Sequence, residues 1–227
     1  MKRMLNQKDS WLLFAQGYFK TARLACNELL TQESNPDENN KHAQKNWISH
    51  YYTHHLVPAI IFNTKHGIEC YLKYLLIMMT DQLVTGHDLE KLFRIFNKKL
   101  TSRKWYVISS TDEHRDKISS NEIKKQCVER RKKLRGLIRF FARNKLASSK
   151  LRKSFSDKNN ELFRYPEMLN MNKLDYEKFL VRIREKDLQE LLSHIDDLER
   201  FFNDMGYFVS VEEQDKHPTR SCFNRLS

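Results

Sequence analysis

A few sets of residues in this chain have the types and spacing to do chemistry. Glu69 and Lys73 stand four residues apart with the acid first, the order that favours an ion pair along a helix. His87 lies between Gly86 and Asp88 at the start of an expected helix, where an imidazole can bond a backbone group or move a proton. Arg164 and Tyr165 directly precede Pro166, which holds Tyr165 extended and offers both side chains either to a cleft or to the turn itself. These five residues are the catalytic candidates. Against them stands a plainer reading: a solvated helix-surface pair for Glu69 and Lys73, and folding roles for the others. His50 and His54 have helical metal spacing with His55 beside them, but no third ligand stands at a recognised offset, so no metal site is expected. Cys26, Cys70, Cys127 and Cys222 are far apart and spell neither a zinc knuckle nor a redox pair. No phosphate-binding loop, nucleophile elbow or dinucleotide fingerprint is present, and no cofactor is expected.

A second set could bind rather than react. Arg131, Arg135, Arg139 and Arg143 recur every four residues with Lys132 beside them, forming a row that spans about 18 Å on a helix at about 1.5 Å per residue. The planar fork of Arg can grip two phosphate oxygens together. The block from Asn121 to Lys153 holds 13 Lys or Arg against 2 Asp or Glu, nearly the whole excess of a chain whose formal charge is +12. Such a field recruits polyanions: nucleic acid first, an anionic lipid or an acidic protein partner second. The alternative is a solubilising helix face.

Helices must position both sets. Trp11, Ala15, Tyr18, Ala22, Ala25 and Leu29 form a packing seam on a first helix expected from an N-cap at Ser10 to about Leu30. A polar stretch, 31–46, reads as a loop. A second long helix is expected from about Leu56 to Met79, with Pro58 in its first turn and Ile61, Ile68, Leu72, Leu75 and Met79 on one face. Gly86 to Leu89 opens a short third helix through Leu92, Phe93 and Phe96. Residues 101–120 read as irregular, with a short extended segment at Trp105 to Ile108. A fourth helix is expected from about Asn121 to Leu146, its inner arc formed by Ile123, Cys127, Leu134, Leu137, Ile138 and Phe141. After an ambiguous stretch at 176–183, a last helix is expected from about Asp187 to Met205, stopped by Gly206. One core should contain Trp11, Tyr18, Ile61, Ile68, Leu72, Leu75, Leu134, Ile138, Leu192, Ile195 and Phe202. Leu12 and Phe19 are left over beside the first helix as a surface for self-association.

Composition agrees with that architecture. Of 227 residues, 40% are hydrophobic, enough for a core, and only 5 are Gly and 4 Pro, too few turn-makers for sandwiches, barrels or Gly-rich phosphate loops. A mean hydropathy of −0.73 and interrupted apolar runs argue against a membrane span, and the N-terminal residues lack a secretory signal's apolar core. The chain is expected to be cytoplasmic and all-α, a bundle of about five helices with a short irregular or extended insertion.

The run Phe62-Asn63-Thr64-Lys65-His66-Gly67-Ile68-Glu69-Cys70-Tyr71-Leu72-Lys73-Tyr74-Leu75-Leu76, followed by Gly86-His87-Asp88-Leu89-Glu90-Lys91-Leu92, resembles the helix-loop-helix of the HEPN (higher eukaryotes and prokaryotes nucleotide-binding) domain family. The Trp11, Ala15, Tyr18 opening fits that family. Phe163-Arg164-Tyr165-Pro166 and the Leu-rich last helix are similar to a subgroup with an Arg-Tyr-Pro motif. The resemblance covers about Trp11 to Tyr207. It implies one HEPN-like domain over 1–207, a polar tail over 208–227, a homodimeric bundle, and a preference for RNA over DNA. It further implies an accessory or effector role in bacterial toxin–antitoxin or antiphage defence. Many members are metal-independent ribonucleases marked by an Arg, four to six residues, then a His. None of the nine His here follows an Arg at that distance. The resemblance therefore leaves open a ribonuclease with a non-canonical site and a non-catalytic protein-interaction module.

Overall fold

The structure, a computed structural model, describes residues 2–33, 50–102, 120–142 and 185–216. These form five helices and no strand: α1 (Lys2–Glu33), α2 (His50–Thr80), α3 (Leu89–Thr101), α4 (Ser120–Ala142) and α5 (Glu185–Lys216). Here α1 and α2 pack along each other as the spine, α5 lies against both and against α4, and α3 joins α2 to α4. The all-α bundle is as the apolar periodicities require.

One core runs through all five helices. Phe19 of α1, Tyr71 of α2 and Phe202 of α5 meet at its centre, Tyr71 stacked on Phe202 with ring centroids 4.8 Å apart. The Tyr71 hydroxyl donates to Asn203 Oδ1 at 2.8 Å, which satisfies its one polar atom in an apolar setting. Gly67 of α2 faces the Phe19 ring of α1; a Cβ there would stand 3.1 Å from that ring. Arg23 clamps α1 to α5, donating through Nε to Asp196 at 2.8 Å and through Nη2 to Glu199.

Several expectations need correction. Phe19 is fully buried rather than a surface surplus, and Leu12 is half-buried; among the described side chains of α1, the large exposed apolar ones are Leu13, Phe14 and Leu24. Trp11, Tyr18 and Leu192 pack on the core from its margin rather than inside it. The first helix begins at Lys2, not Ser10, and Lys8 ties its early part to the spine: its ammonium lies 3.0 Å from Asp81 just past the end of α2. The second begins at His50, which places Pro58 two turns inside it, where it withholds a donor from the carbonyl of residue 54. Gly206 does not stop the last helix. Val209 is buried one turn later, and this apolar anchor carries α5 past the glycine to Lys216, into the stretch expected as a loose polar tail.

Gly86 and Asp88 perform as expected. Gly86 takes a positive φ of 101°, which an L side chain would resist, and Asp88 caps α3 by accepting from the Lys91 amide at 2.9 Å. The expected extended segment at Trp105 to Ile108, the stretch 176–183 and the end of the fourth helix at Leu146 lie outside the described residues.

Candidate functional site

The catalytic candidates on α2 and in the turn before α3 converge. Glu69, Lys73 and the neighbouring His66 share one side of α2, spaced at three and four residues, and the turn before α3 brings His87 to the same place. Lys73 Nζ donates to Glu69 Oε1 at 2.7 Å, and His87 Nδ1 lies 2.9 Å from that same oxygen. Trp11 of α1 covers the ammonium, with Lys73 Nζ 4.9 Å from its ring centroid. Glu69 and Lys73 are each only 5% exposed, so the helix-surface reading of this pair is corrected: it is an interior pair. Burial opposes the charge on Glu69. The Lys73 hydrogen bond, with the charges of Lys73, His87 and His66, outweighs burial and holds the carboxyl below its ordinary value.

This arrangement fixes a tautomer. With Nδ1 turned to a carboxylate acceptor, the ring carries its proton there and leaves Nε2 as the nitrogen for any further partner. The His87 side chain is half-exposed, at the edge of an otherwise buried node. His66, tilted against Phe62 at 4.3 Å and edge-on to Tyr18, is a neighbour that sequence reading missed. Its i,i+3 relation to Glu69 was the available signal.

The binding candidates lie elsewhere, on α4. Cys127, Leu134, Leu137, Ile138 and Phe141 are buried, which turns the opposite face of the helix outward. Lys124, Lys125, Lys132, Lys133 and Arg135 are exposed, while Arg131 and Arg139 are half-buried at the edges of that face. The row of Arg is therefore not uniformly outward: a four-residue step falls 40° past each full turn of about 360°, so the row winds from the packed edge onto the crest. Arg139 approaches Glu90 of α3 at 4.0 Å. Lys132 and Arg135 form no ion pair with any described residue.

Two cations on the far edge of α4 were not singled out from sequence. Arg130 pairs with Asp204 of α5 at 3.2 Å, and Arg130 and Lys133 both flank the buried Phe201 ring at 5.8 Å. Arg130 ties α4 to α5, and Lys133, though exposed, leans over the same ring.

Three thiols are sealed in the core. Burial pushes Cys26 and Cys70 up to about 12 and Cys127 to about 11, so none is a nucleophile at neutral pH. Among the described residues no group of three His, Cys, Asp or Glu side chains could hold a metal ion, and no helix is long and apolar enough to cross a membrane. Arg143, Arg164, Tyr165, Cys222 and the side chains of His50, His54 and His55 lie outside the described residues. Comparison with known proteins finds no matching family model, no matching curated protein and no matching solved structure.

Proposed function

We propose that this chain is a HEPN-like nucleic-acid-associated protein that holds RNA through sequence-independent contacts of α4 with the phosphate backbone. The observation that carries this reading is the exposure of Lys124, Lys125, Lys132 and Arg135 on a face whose orientation the buried stripe fixes. Each cation that meets a phosphate releases condensed counterions, so binding falls steeply as salt rises. The reading takes its biological setting, an accessory or effector role in bacterial defence and a homodimeric state, from the resemblance described above.

The test is a salt series with Lys132→Glu and Arg135→Glu combined, chosen over a variant at Arg139 because Arg139 already leans on Glu90. Reversing two outward charges is expected to weaken RNA binding at low salt by at least about tenfold and to lower the log–log salt slope by about 2. Unchanged binding across the series would transfer α4 to the protein-interaction reading, with an acidic partner.

One observation favours a second reading, a metal-independent ribonuclease with a non-canonical site. A carboxylate-oriented imidazole, half-exposed, is equipped to take a proton from a ribose hydroxyl through Nε2. RNA cleavage in a chelator, lost in His87→Ala with the fold intact, supports it; no cleavage by the unaltered protein rejects it.

A further inference from the structure

α3 carries the same pattern of cations as the crest of α4. Lys91, Arg94 and Lys98 stand at i, i+3 and i+7, and so do Lys132, Arg135 and Arg139. The five residues Leu89, Leu92, Phe93, Phe96 and Leu100 bury the other side of α3, and Lys91, Arg94 and Lys98 are all exposed. None of those three forms an ion pair with a described residue. The two helices lie against each other, and the Arg139–Glu90 contact at 4.0 Å shows which edges meet. On α4 the crest leans toward that edge; on α3 Glu90 stands next to the Lys91 strip.

We infer that α3 and α4 together form a two-railed surface for the phosphate rows of a nucleic-acid duplex, with Lys91, Arg94 and Lys98 as the second rail. The inference rests on the α4 reading above and adds a helix and a ligand class to it. Each rail is about 10 Å long at about 1.5 Å per residue, enough to reach about three successive phosphates of one strand.

The placement of the aromatic residues selects a duplex over a single strand. Single strands are gripped by stacking bases on exposed rings between cations. On α3, Phe93 and Phe96 are buried; on α4, Phe141 is buried and Phe140 is turned edge-on to His194 at 4.7 Å. The described rings of both helices thus serve the core, and the surface is left with charge alone, which suits backbones whose bases are already paired.

The experiment measures fluorescence anisotropy of a mixed-sequence 24-base-pair RNA duplex and of its component strand, with the full chain, over a salt series. It compares the unaltered protein with Lys91→Glu, Arg94→Glu and Lys98→Glu combined, and with the α4 variant above; helical signal and melting confirm that each is folded. Should the triple reversal fail to fold, the corresponding Gln substitutions replace it. The triple variant is expected to weaken duplex binding at least about tenfold and lower the salt slope by about 2 to 3. The unaltered protein should hold the duplex more tightly than the single strand. Unchanged duplex binding in the α3 variant, with binding lost in the α4 variant, overturns the second rail and leaves the α4 reading standing. A tighter grip on the single strand overturns the duplex assignment. No binding by the unaltered protein, or an α4 variant that binds as well as it does, overturns the α4 reading and this inference with it.

Discussion

Two groups of charges in this bundle, one inside and one on α4, do opposite work. In the Glu69–Lys73–His87 node, the charges of Glu69 and Lys73 are removed from water and held by each other, with half-exposed His87 on the same carboxylate. On α4, Lys132 and Arg135 remain in water without a described carboxylate in reach. The interior node has removed its attraction from use by outside partners and spent it on joining α2 to the turn before α3. The outer face contributes nothing to cohesion and repels itself, but its field extends into solvent for about a Debye length, near 8 Å at physiological salt. A charge is informative about function here when the fold has left it unsatisfied.

The sharpest way to break the comparison is to strip the interior node of one partner. Glu69→Leu leaves Lys73 buried without its acceptor, and should cost about 3–5 kcal/mol in urea unfolding, against a smaller loss when Lys73→Met accompanies it. Losses under about 1 kcal/mol for the single variant would show that the node is wet and loosely held. The same pair sets an acid limit. Because the fold lowers the Glu69 carboxyl from its ordinary value of 4.5, its contribution is fully present above that value and disappears as pH falls through the lower, folded one. Stability measured between pH 6 and pH 3 should therefore fall less steeply in the Leu–Met double variant than in the unaltered protein.

A smaller effect tests whether the spine beneath the node is as tightly built. Gly67→Ala drives a methyl toward the Phe19 ring, which Tyr71 and Phe202 keep from retreating. A loss of about 1–2 kcal/mol is expected, since overpacking exceeds the helix-propensity gain of about 1 kcal/mol. A stabilised variant would mean that the ring yields. The smallest effect belongs to the outer face: Lys132→Glu with Arg135→Glu should leave stability within about 0.5 kcal/mol while nucleic-acid binding collapses. A large stability loss there would make α4 a structural element after all.

What could be read in the sequence follows the same division. α3 was legible because three independent signals coincide in it: a glycine for the turn, an acidic cap and an unbroken amphipathic period. The bundle was legible for the same reason, repeated along longer stripes. The burial of Glu69 and Lys73 was not, since an i,i+4 pair has one spelling whether water or Trp11 covers it. Phe19 was misplaced because the seam from Trp11 to Leu29 admits two neighbouring faces, and only the partner helix decides between them. Gly206 was misread as a stop because the deciding signal, the burial of Val209, depends on α5 reaching its neighbours. The second rail on α3 was visible as a spacing, but its meaning depends on α4 lying alongside.

The sealed thiols give the molecule three internal clocks. Cys26, Cys70 and Cys127 sit on α1, α2 and α4, and each must both emerge and lose a proton before an alkylating reagent can take it. In the native protein the rate of labelling at each position then reports how often that helix lets go of the core, and not how reactive its sulfur is. If the three rates agree, the bundle opens as one unit. If Cys127 is labelled first, α4 detaches while the α1–α2 spine stays closed, and the helix that carries the outward charges is also the one most free to adjust to what it binds.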